Sequence, residues 1–284
     1  MRGRTRVADY KIANVAVIGL GKMGLPMVRH LLGKGFTVIG FDVDKAKIAE
    51  AQKAGARGAT SPGDAAREAD LTFIAVGFDS EAEKAILGAD GIAKAAKQGA
   101  IVAIASTVAP STAKKIEKRA GRADLVFLDT PMCRGEEAAI NGKLLLMGGG
   151  DKAAFDACRP AFAAFASDVF HLGALGAGSV GKMINNQILW ACISANHEGL
   201  KLGTALGVQR EALRTALVAS SAQNWALSTE IQRHAMPWAE KDMMLVLKEA
   251  DTLRLSLPLA GAVKEIIKGI KLELGHPTPM PVED

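Results

Sequence analysis

Residues 14–24 have the sequence NVAVIGLGKMG, in which a short apolar run leads directly into three glycines spaced as Gly-x-Gly-x-x-Gly. The run predicts a buried strand over residues 15–18, and the periodicity that follows predicts a helix over residues 23–32. Gly19 permits a tight turn, Gly21 lets the backbone approach a ligand, and Gly24 allows the helix to pack closely on the strand. The stretch therefore predicts a strand-turn-helix unit that holds a dinucleotide pyrophosphate at the helix N-terminus.

An acidic residue follows the next predicted strand, residues 37–41. Asp42 lies eighteen residues after Gly24, where a carboxylate can accept hydrogen bonds from the adenosine ribose and repel a 2′-phosphate. We therefore expect NAD in preference to NADP, although Lys45 and Lys47 leave use of NADP open. The cofactor contacts predicted from the loop and from this strand end are Gly19, Leu20, Gly21, Met23, Gly24 and Asp42.

Further apolar runs alternate with helical patterns through the first half of the chain. They predict strands over residues 71–76, 101–105, 126–128 and 144–147, with helices over 45–54 and 110–120 and a capped helix start at Ser61-Pro62. Continuous Val/Ile-rich runs are typical of strands buried on both faces of a parallel sheet. We predict a doubly wound parallel α/β domain of the Rossmann type over residues 14–173, preceded by a flexible arm of residues 1–13.

Strand-like runs cease after a glycine-rich segment, residues 173–178. A proline-free helical pattern over residues 179–206 would extend for roughly 40 Å, which exceeds the diameter of a domain of about 100 residues. That helix is expected to join two domains or two subunits. More helices are predicted over 210–219, 223–233, 241–255 and 259–274, so residues 174–284 should form an all-helical domain for substrate binding and dimerisation.

Composition excludes several classes of protein. The chain of 284 residues is 49% hydrophobic, yet it has no 18-residue apolar stretch that could cross a bilayer. Its 9 Phe, 3 Trp and 1 Tyr do not interleave with basic clusters, which argues against a nucleic-acid partner, and the net charge of +5 is compatible with small anions. The three cysteines and five histidines show no metal-ligand spacing, so we expect no bound metal. Three cysteines far apart in sequence argue against a disulfide framework and favour a cytoplasmic protein.

Lys182 and Asn186 stand one helical turn apart in the segment GSVGKMINN, residues 178–186. On a helix they share one face. A lysine can exchange a proton with an alcohol or carbonyl oxygen, and an amide one turn later can hold that oxygen, as hydride transfer at the adjacent carbon requires. An exposed helix surface shows the same pair, and the residues alone leave that alternative open.

Four blocks of sequence together resemble the β-hydroxyacid dehydrogenase family, of the 3-hydroxyisobutyrate dehydrogenase and tartronate semialdehyde reductase type. They are GLGKMGLPM at 19–27, DTPM at 129–132, GSVGKMINN at 178–186 and KD at 241–242. The likeness extends from about residue 14 to residue 274. It implies an N-terminal Rossmann domain, a helical C-terminal domain, and NAD(P)-dependent interconversion of a β-hydroxy acid and its semialdehyde or ketone.

The resemblance also implies roles for single residues. Lys182 resembles the general acid/base, Asn186 the residue that orients the substrate, and Asn185 a secondary substrate contact. The implied cofactor contacts are Lys241, the backbone at Val76, and Thr107 in preference to Ser106, while Asp242 resembles a structural residue.

One block departs from the family pattern. Where the family usually has Ser-Gly-Gly to bind the substrate carboxylate, this chain has Cys133-Arg134-Gly135. A thiol is a poorer donor than a hydroxyl, whereas an arginine can pair bidentately with an oxyanion. We predict that Cys133, Arg134 and Gly135 bind a small anionic carboxylate substrate, with an outward, solvated Arg134 as the alternative.

Two other functions are compatible with the fold. An imine reductase shares the architecture but usually lacks the lysine, so Lys182 counts against it. A non-catalytic nucleotide-binding module would be expected to lose the pair Lys182 and Asn186, which this chain retains. The long helix favours a homodimer or homotetramer over a monomer.

Overall fold

The computed structural model describes residues 10–233 and 235–277. The chain divides into two compact units, Met1–Lys182 and Met183–Asp284. Residues 1–9 of the predicted arm lie outside the described residues, and the first strand begins at Asn14.

The first unit is built on a sheet of nine strands. These are β1 (Asn14–Ile18), β2 (Thr37–Phe41), β3 (Arg57–Gly58), β4 (Leu71–Ile74), β5 (Ile101–Ile104), β6 (Val126–Asp129), β7 (Met132–Cys133), β8 (Leu144–Gly150) and β9 (Ala166–Gly173). Strands β1 to β6 are parallel and lie in the order β3-β2-β1-β4-β5-β6. This is the order of a doubly wound dinucleotide-binding sheet, and it confirms the predicted fold.

The far end of the sheet departs from the predicted parallel pattern. Strand β8 runs antiparallel to β6 and to β7, and β9 is parallel to β8. The chain reverses there because a two-residue strand and a short helix separate β6 from β8, whereas parallel neighbours need a longer crossover. Strands β3, β7 and β9 were not predicted from the sequence.

Helices cover both faces of this sheet. They are α1 (Gly24–Gly33), α2 (Lys45–Lys53), α3 (Pro62–Ala66), α4 (Asp79–Leu87), α5 (Ile92–Ala95), α6 (Pro110–Ala120), α7 (Gly135–Ile140), α8 (Lys152–Ala157) and α9 (Arg159–Phe165). Alternate residues of β1 enter two separate apolar clusters, Val15 and Val17 in one, Ala16 and Ile18 in the other. Both faces of the strand are therefore buried, as its continuous apolar run predicts.

The second unit is helical. The helix α10 (Ala177–Ala205) is followed by α11 (Arg210–Val218), α12 (Trp225–Thr229), a 3₁₀ turn (Ile231–Arg233), α13 (Ala239–Leu253) and α14 (Pro258–Glu273). Its core gathers Trp190, Ile193, Met243, Val263 and Ile267. No helix within the described residues is long and apolar enough to cross a membrane.

Helix α10 has 29 residues, which confirms the long helix predicted from the sequence. The division between the units falls inside it, after Lys182, nine residues beyond the predicted boundary at residue 173. The difference arises because the first turns of α10 pack on the sheet of the first unit, through contacts described below.

Candidate active site

Several predicted site residues meet at one edge of the sheet. The glycine loop follows β1, Asp42 follows β2, Val76 lies just beyond β4, and Thr107 lies just beyond β5. Strand β1 lies between β2 and β4, and the chain leaves these strands in opposite directions along the sheet. In doubly wound folds the crevice at such a point, outside the carboxyl ends of the strands, is where a ligand binds.

The three glycines of the loop have different neighbours. A Cβ on Gly19, whose φ is +91°, would lie 2.5 Å from the Ala75 carbonyl oxygen, and a Cβ on Gly24 would lie 1.8 Å from the Gly19 carbonyl oxygen. A Cβ on Gly21 would meet no atom within 4 Å. Gly19 and Gly24 therefore let the loop and helix pack closely, whereas Gly21 leaves open space beside the backbone.

The start of α1 suits an anion. Met23 precedes the helix without a side-chain cap, and the first turn contains no acidic residue. By contrast, the Asp44 carboxylate accepts the Ala46 N–H at 2.8 Å and so caps α2. An uncapped helix N-terminus beside an open glycine backbone fits a dinucleotide pyrophosphate.

Asp42 ties the glycine loop to the end of β2. One carboxylate oxygen accepts the Leu20 N–H at 2.6 Å, and the other accepts the Asp44 N–H at 2.9 Å. Each oxygen keeps a second lone pair for a ribose hydroxyl. The predicted ribose contact thus has a loop-fixing role that its spacing did not reveal.

Ser106 connects the loops that follow β4 and β5. Its buried hydroxyl accepts the Val76 N–H at 2.9 Å and donates to the Val76 carbonyl oxygen at 2.8 Å. Thr107, the residue favoured from the sequence, is half-buried beside it. Ser106 therefore fixes the backbone of Val76, a role that the sequence did not indicate.

A buried carboxylate anchors the start of α10. Asp129, at the end of β6, is fully buried, and its two oxygens accept the N–H groups of Gly176 at 2.8 Å and Ser179 at 2.6 Å. A Cβ on Gly178 would lie 2.4 Å from the Met147 carbonyl oxygen. Asp129 and the small residue at 178 thus bring the helix directly onto the sheet.

The same packing continues as far as Lys182. A Cβ on Gly181 would lie 2.5 Å from Leu172 Cδ1, so α10 also contacts β9 closely one residue before the lysine. Lys182 is half-buried. Its backbone is consequently fixed relative to β6, β8 and β9 within the first unit.

Asn186 belongs to the second unit and is buried there in a polar network. Its Nδ2 donates to Asp242 Oδ2 at 2.7 Å, and Trp190 Nε1 donates to the same oxygen at 3.3 Å. Its Oδ1 accepts from Asn185 Nδ2 at 2.9 Å. Because a carboxylate only accepts hydrogen bonds, Asp242 fixes the side-chain orientation of Asn186 with one N–H remaining.

Trp190 was not singled out from the sequence. Its position one helical turn after Asn186 is the signal that could have identified it. Lys241, next to Asp242 on α13, has its Nζ 5.6 Å from the ring centroid of Trp238, a cation–π distance. Its contact with the cofactor stays a prediction.

The turn predicted to bind substrate has an unusual backbone. Cys133 is buried at the end of β7, and Arg134 and Gly135 both have positive φ, +83° and +75°. Arg134 Nη1 donates to Asp168 Oδ2 at 2.6 Å. The Arg134 guanidinium holds the pKa of Asp168 below its usual range. Arg134 is therefore paired with a carboxylate of this chain, and its contact with a substrate stays a prediction.

Among the residues that the structure describes, no three His, Cys, Asp or Glu side chains come together in a group that could hold a metal ion.

Two family models match the chain, one for each half. The model for the NAD binding domain of 6-phosphogluconate dehydrogenase matches residues 14–173. The model for the NAD-binding segment of NADP-dependent 3-hydroxyisobutyrate dehydrogenase matches residues 176–278.

Individual proteins are similar over most of the chain. An NAD-dependent L-serine dehydrogenase from Pseudomonas aeruginosa is 37% identical over 213 residues, 75% of this chain and 72% of that protein. The crystal structure of 3-hydroxyisobutyrate dehydrogenase from Salmonella typhimurium has a TM-score of 0.80 at 27% identity and covers 90% of this chain and 93% of that one. An imine reductase from Streptomyces aurantiacus has a TM-score of 0.64 at 17% identity, with coverage of 90% and 93%, a likeness of fold alone.

Proposed function

Since the chain belongs to the β-hydroxyacid dehydrogenase family of NAD(P)-dependent oxidoreductases that act on hydroxyl groups, we propose that it interconverts a small β-hydroxy acid and its semialdehyde or ketone. One observation carries this proposal. Helix α10 is anchored on the sheet by Asp129 and bears Lys182 and Asn186 one turn apart. The anchored helix therefore offers a lysine side chain, as the group that exchanges the proton, and an oriented amide to the same substrate oxygen.

Each residue has a definite part in the reaction. A nicotinamide cofactor held by the glycine loop and Asp42 would supply the hydride acceptor in the oxidising direction and the hydride donor in the reducing direction. Lys182 takes the proton of the substrate hydroxyl in the oxidising direction and returns it to the carbonyl oxygen in the reducing direction. Asn186 presents its remaining N–H to that oxygen, since Asp242 fixes the orientation of its amide, and Asn185 supports this amide from the other side.

NAD is the proposed cofactor in preference to NADP. The support is Asp42, whose carboxylate at the end of β2 repels a 2′-phosphate. Val76, Thr107 and Lys241 complete the proposed contacts with the cofactor. The ratio of kcat/KM with NAD to that with NADP tests this preference, and a ratio below one contradicts it.

The proposed substrate is a small hydroxy monocarboxylate. L-Serine and 3-hydroxyisobutyrate, which appear in the names of similar proteins, are both β-hydroxy acids and define the first panel. The Cys133 thiol and the backbone of the turn through Gly135 are the groups proposed to meet the substrate carboxylate. Activity on either compound with NAD supports the proposal.

The decisive variant is Lys182→Met, which removes the proton-transfer group and keeps a side chain of similar length. We expect kcat to fall by about 10²-fold or more, the usual share of general acid/base catalysis, with NAD binding unchanged by calorimetry. Lys201→Met is the matched control, because Lys201 lies on the same helix and its ammonium pairs with exposed Glu273 at 3.1 Å. Undiminished turnover by Lys182→Met would contradict the assignment of Lys182 as the general acid/base.

A homodimer or homotetramer is proposed for the assembled protein. Leucines at 202, 253, 259 and 272 of the second unit are each more than 60% exposed, and burying such side chains is a common reason for self-association. Light scattering after gel filtration measures the mass, and a monomer at micromolar concentration contradicts this proposal. The cytoplasmic location expected from the sequence stays a proposal.

A further inference from the structure

Arg134 has a backbone conformation that its residue type disfavours. Its φ of +83° lies in the left-handed region, where a Cβ collides with the neighbouring carbonyl oxygen. Among the other non-glycine residues that the structure describes, Glu230 and Arg254 have positive φ, and each of them ends a helix. Arg134 instead precedes a helix, α7, so the usual helix-ending geometry does not account for it. Such conformations persist where surrounding contacts impose them.

The contacts of the Arg134 side chain supply that constraint. Its Nη1 lies 2.6 Å from Asp168 Oδ2, 2.9 Å from Ser167 Oγ and 3.2 Å from the Lys143 carbonyl oxygen, so its two N–H groups are shared among three acceptors. Ser167 Oγ in turn donates to Asp168 Oδ2 at 2.8 Å. One carboxylate, one hydroxyl and one carbonyl of this chain therefore engage the guanidinium.

The strand register shows what this contact joins. Leu145 of β8 pairs with Cys133 of β7 on one side and with Asp168 of β9 on the other. Arg134 directly follows Cys133, so its side chain reaches across β8 to the strand beyond. It thereby fastens β7, a strand of two residues, to β9, a strand of eight.

We propose that Arg134 is a positioning residue whose ion pair with Asp168 clamps the turn Cys133-Arg134-Gly135 in the shape that receives the substrate carboxylate. The inference rests on the proposed function for the role of the turn, and it assigns Arg134 to the protein's own carboxylate instead of the substrate's. The substrate carboxylate is then met by the thiol of Cys133 and by backbone N–H groups. Asp168 also balances the positive charge of Arg134. The turn then offers no uncompensated cation to a second carboxylate, which suits a substrate with a single carboxylate.

The clamp predicts a change in backbone exchange that needs no substrate. Hydrogen exchange of the amides in residues 133–140 is measured by mass spectrometry on the full chain and on Arg134→Ala and Asp168→Asn. Loss of an exposed ion pair should raise the exchange rate about two- to fivefold in each variant. Arg119→Ala is the matched control, because Arg119 forms another exposed pair, with Glu83 at 2.5 Å, and it should leave residues 133–140 unchanged.

Steady-state kinetics separate a positioning role from a substrate contact. If Arg134 clamps the turn, Asp168→Asn and Arg134→Ala raise the substrate KM in the same direction, by about two- to fivefold, with kcat nearly unchanged. The double variant then adds little to either single change. Arg134→Gly should show a lower KM than Arg134→Ala, because glycine adopts the positive φ without strain.

The opposite pattern overturns the inference. If Arg134 instead holds the substrate, Asp168→Asn frees the guanidinium and leaves KM unchanged or lowers it, and Arg134→Gly is no better than Arg134→Ala. Unchanged exchange at residues 133–140 in both single variants also overturns the clamp. Absence of turnover by the wild-type chain on every hydroxy acid tested would instead reject the proposed function, and the exchange measurement would still decide whether the clamp exists.

Discussion

Replacement of Asp129 by Asn should destabilise the first unit by an amount that follows from its two hydrogen bonds. The buried carboxylate accepts one N–H on each oxygen, from Gly176 and from Ser179. Asparagine keeps one acceptor, but its NH₂ group must then face an N–H. One charge-assisted bond, worth about 1.5–3 kcal/mol, is lost, and a buried donor is left unsatisfied at about 1–3 kcal/mol.

The lost bond and the unsatisfied donor that it leaves are overlapping costs and do not add in full, so we expect a loss of about 3 kcal/mol in the free energy of unfolding. For a unit of the size of Met1–Lys182, each kcal/mol lowers the melting temperature by about 2–4 °C. We therefore expect a decrease of roughly 6–12 °C, measured by differential scanning calorimetry. Asp90→Asn is the control, because Asp90 is exposed and its replacement should change stability by less than about 0.5 kcal/mol.

A second measurement follows from the position of α10. Since Asp129 fixes the start of the helix that carries Lys182, the variant should lose kcat at temperatures where it is still folded, while NAD binding is retained. The reasoning is refuted if the melting temperature of Asp129→Asn lies within 1–2 °C of the wild type, about the effect expected of an exposed substitution.

Three further predictions concern other parts of the first unit. Gly24→Ala should abolish NAD binding in calorimetry, because its Cβ would lie 1.8 Å from the Gly19 carbonyl oxygen, whereas Gly33→Ala, with no atom within 4 Å, should bind normally. Burial raises the pKa of the Cys158 thiol to about 12, so Cys158 should resist a disulfide reagent at pH 8 until the protein is unfolded; labelling of the folded chain at this residue, read by mass spectrometry, contradicts the burial. Arg134 lowers the pKa of Asp168 from its ordinary value of 3.8. The ion pair of the clamp should therefore persist at every pH above the lowered pKa and weaken as the pH falls through it. Exchange at residues 133–140 that is already fast at pH 5, after correction for the intrinsic rate, argues against it.

The strands that were predicted correctly are those whose burial is visible in their composition. The middle of β2, residues 38–40, and the whole of β5, residues 101–104, are buried on both faces, so these strands consist of nearly continuous apolar residues. Strand β9 has alternating exposure along its length and contains Ser, Asp and His. It therefore lacks the continuous apolar run by which the other strands were predicted. The direction of β8 was also beyond reach, because an apolar run has the same composition in a parallel and in an antiparallel strand.

The candidate site shows a similar division between local and distant information. The glycine loop and Asp42 were found from spacing, because the turn, the helix start and the next strand end recur at fixed separations. The partners of Asp129 and Arg134 lie about 50 and 34 residues away in sequence, and no local pattern announces them. The segment DTPM at 129–132 carries the family resemblance, but the function of Asp129 as the anchor of a helix is visible only in the fold.

The anchoring of α10 bears on how this chain can be cut and recombined. The family match for the first half ends at residue 173, which invites an isolated fragment or a chimaera joined at that point. Such a fragment would lack Gly176 and Ser179 and would retain Asp129 with neither of its two backbone donors. A fragment ending after Lys182 keeps both. A graft of this cofactor-binding half onto another protein should therefore end after Lys182 and not at residue 173. The segment that matches the family model and the compact structural unit differ by the first turns of one helix.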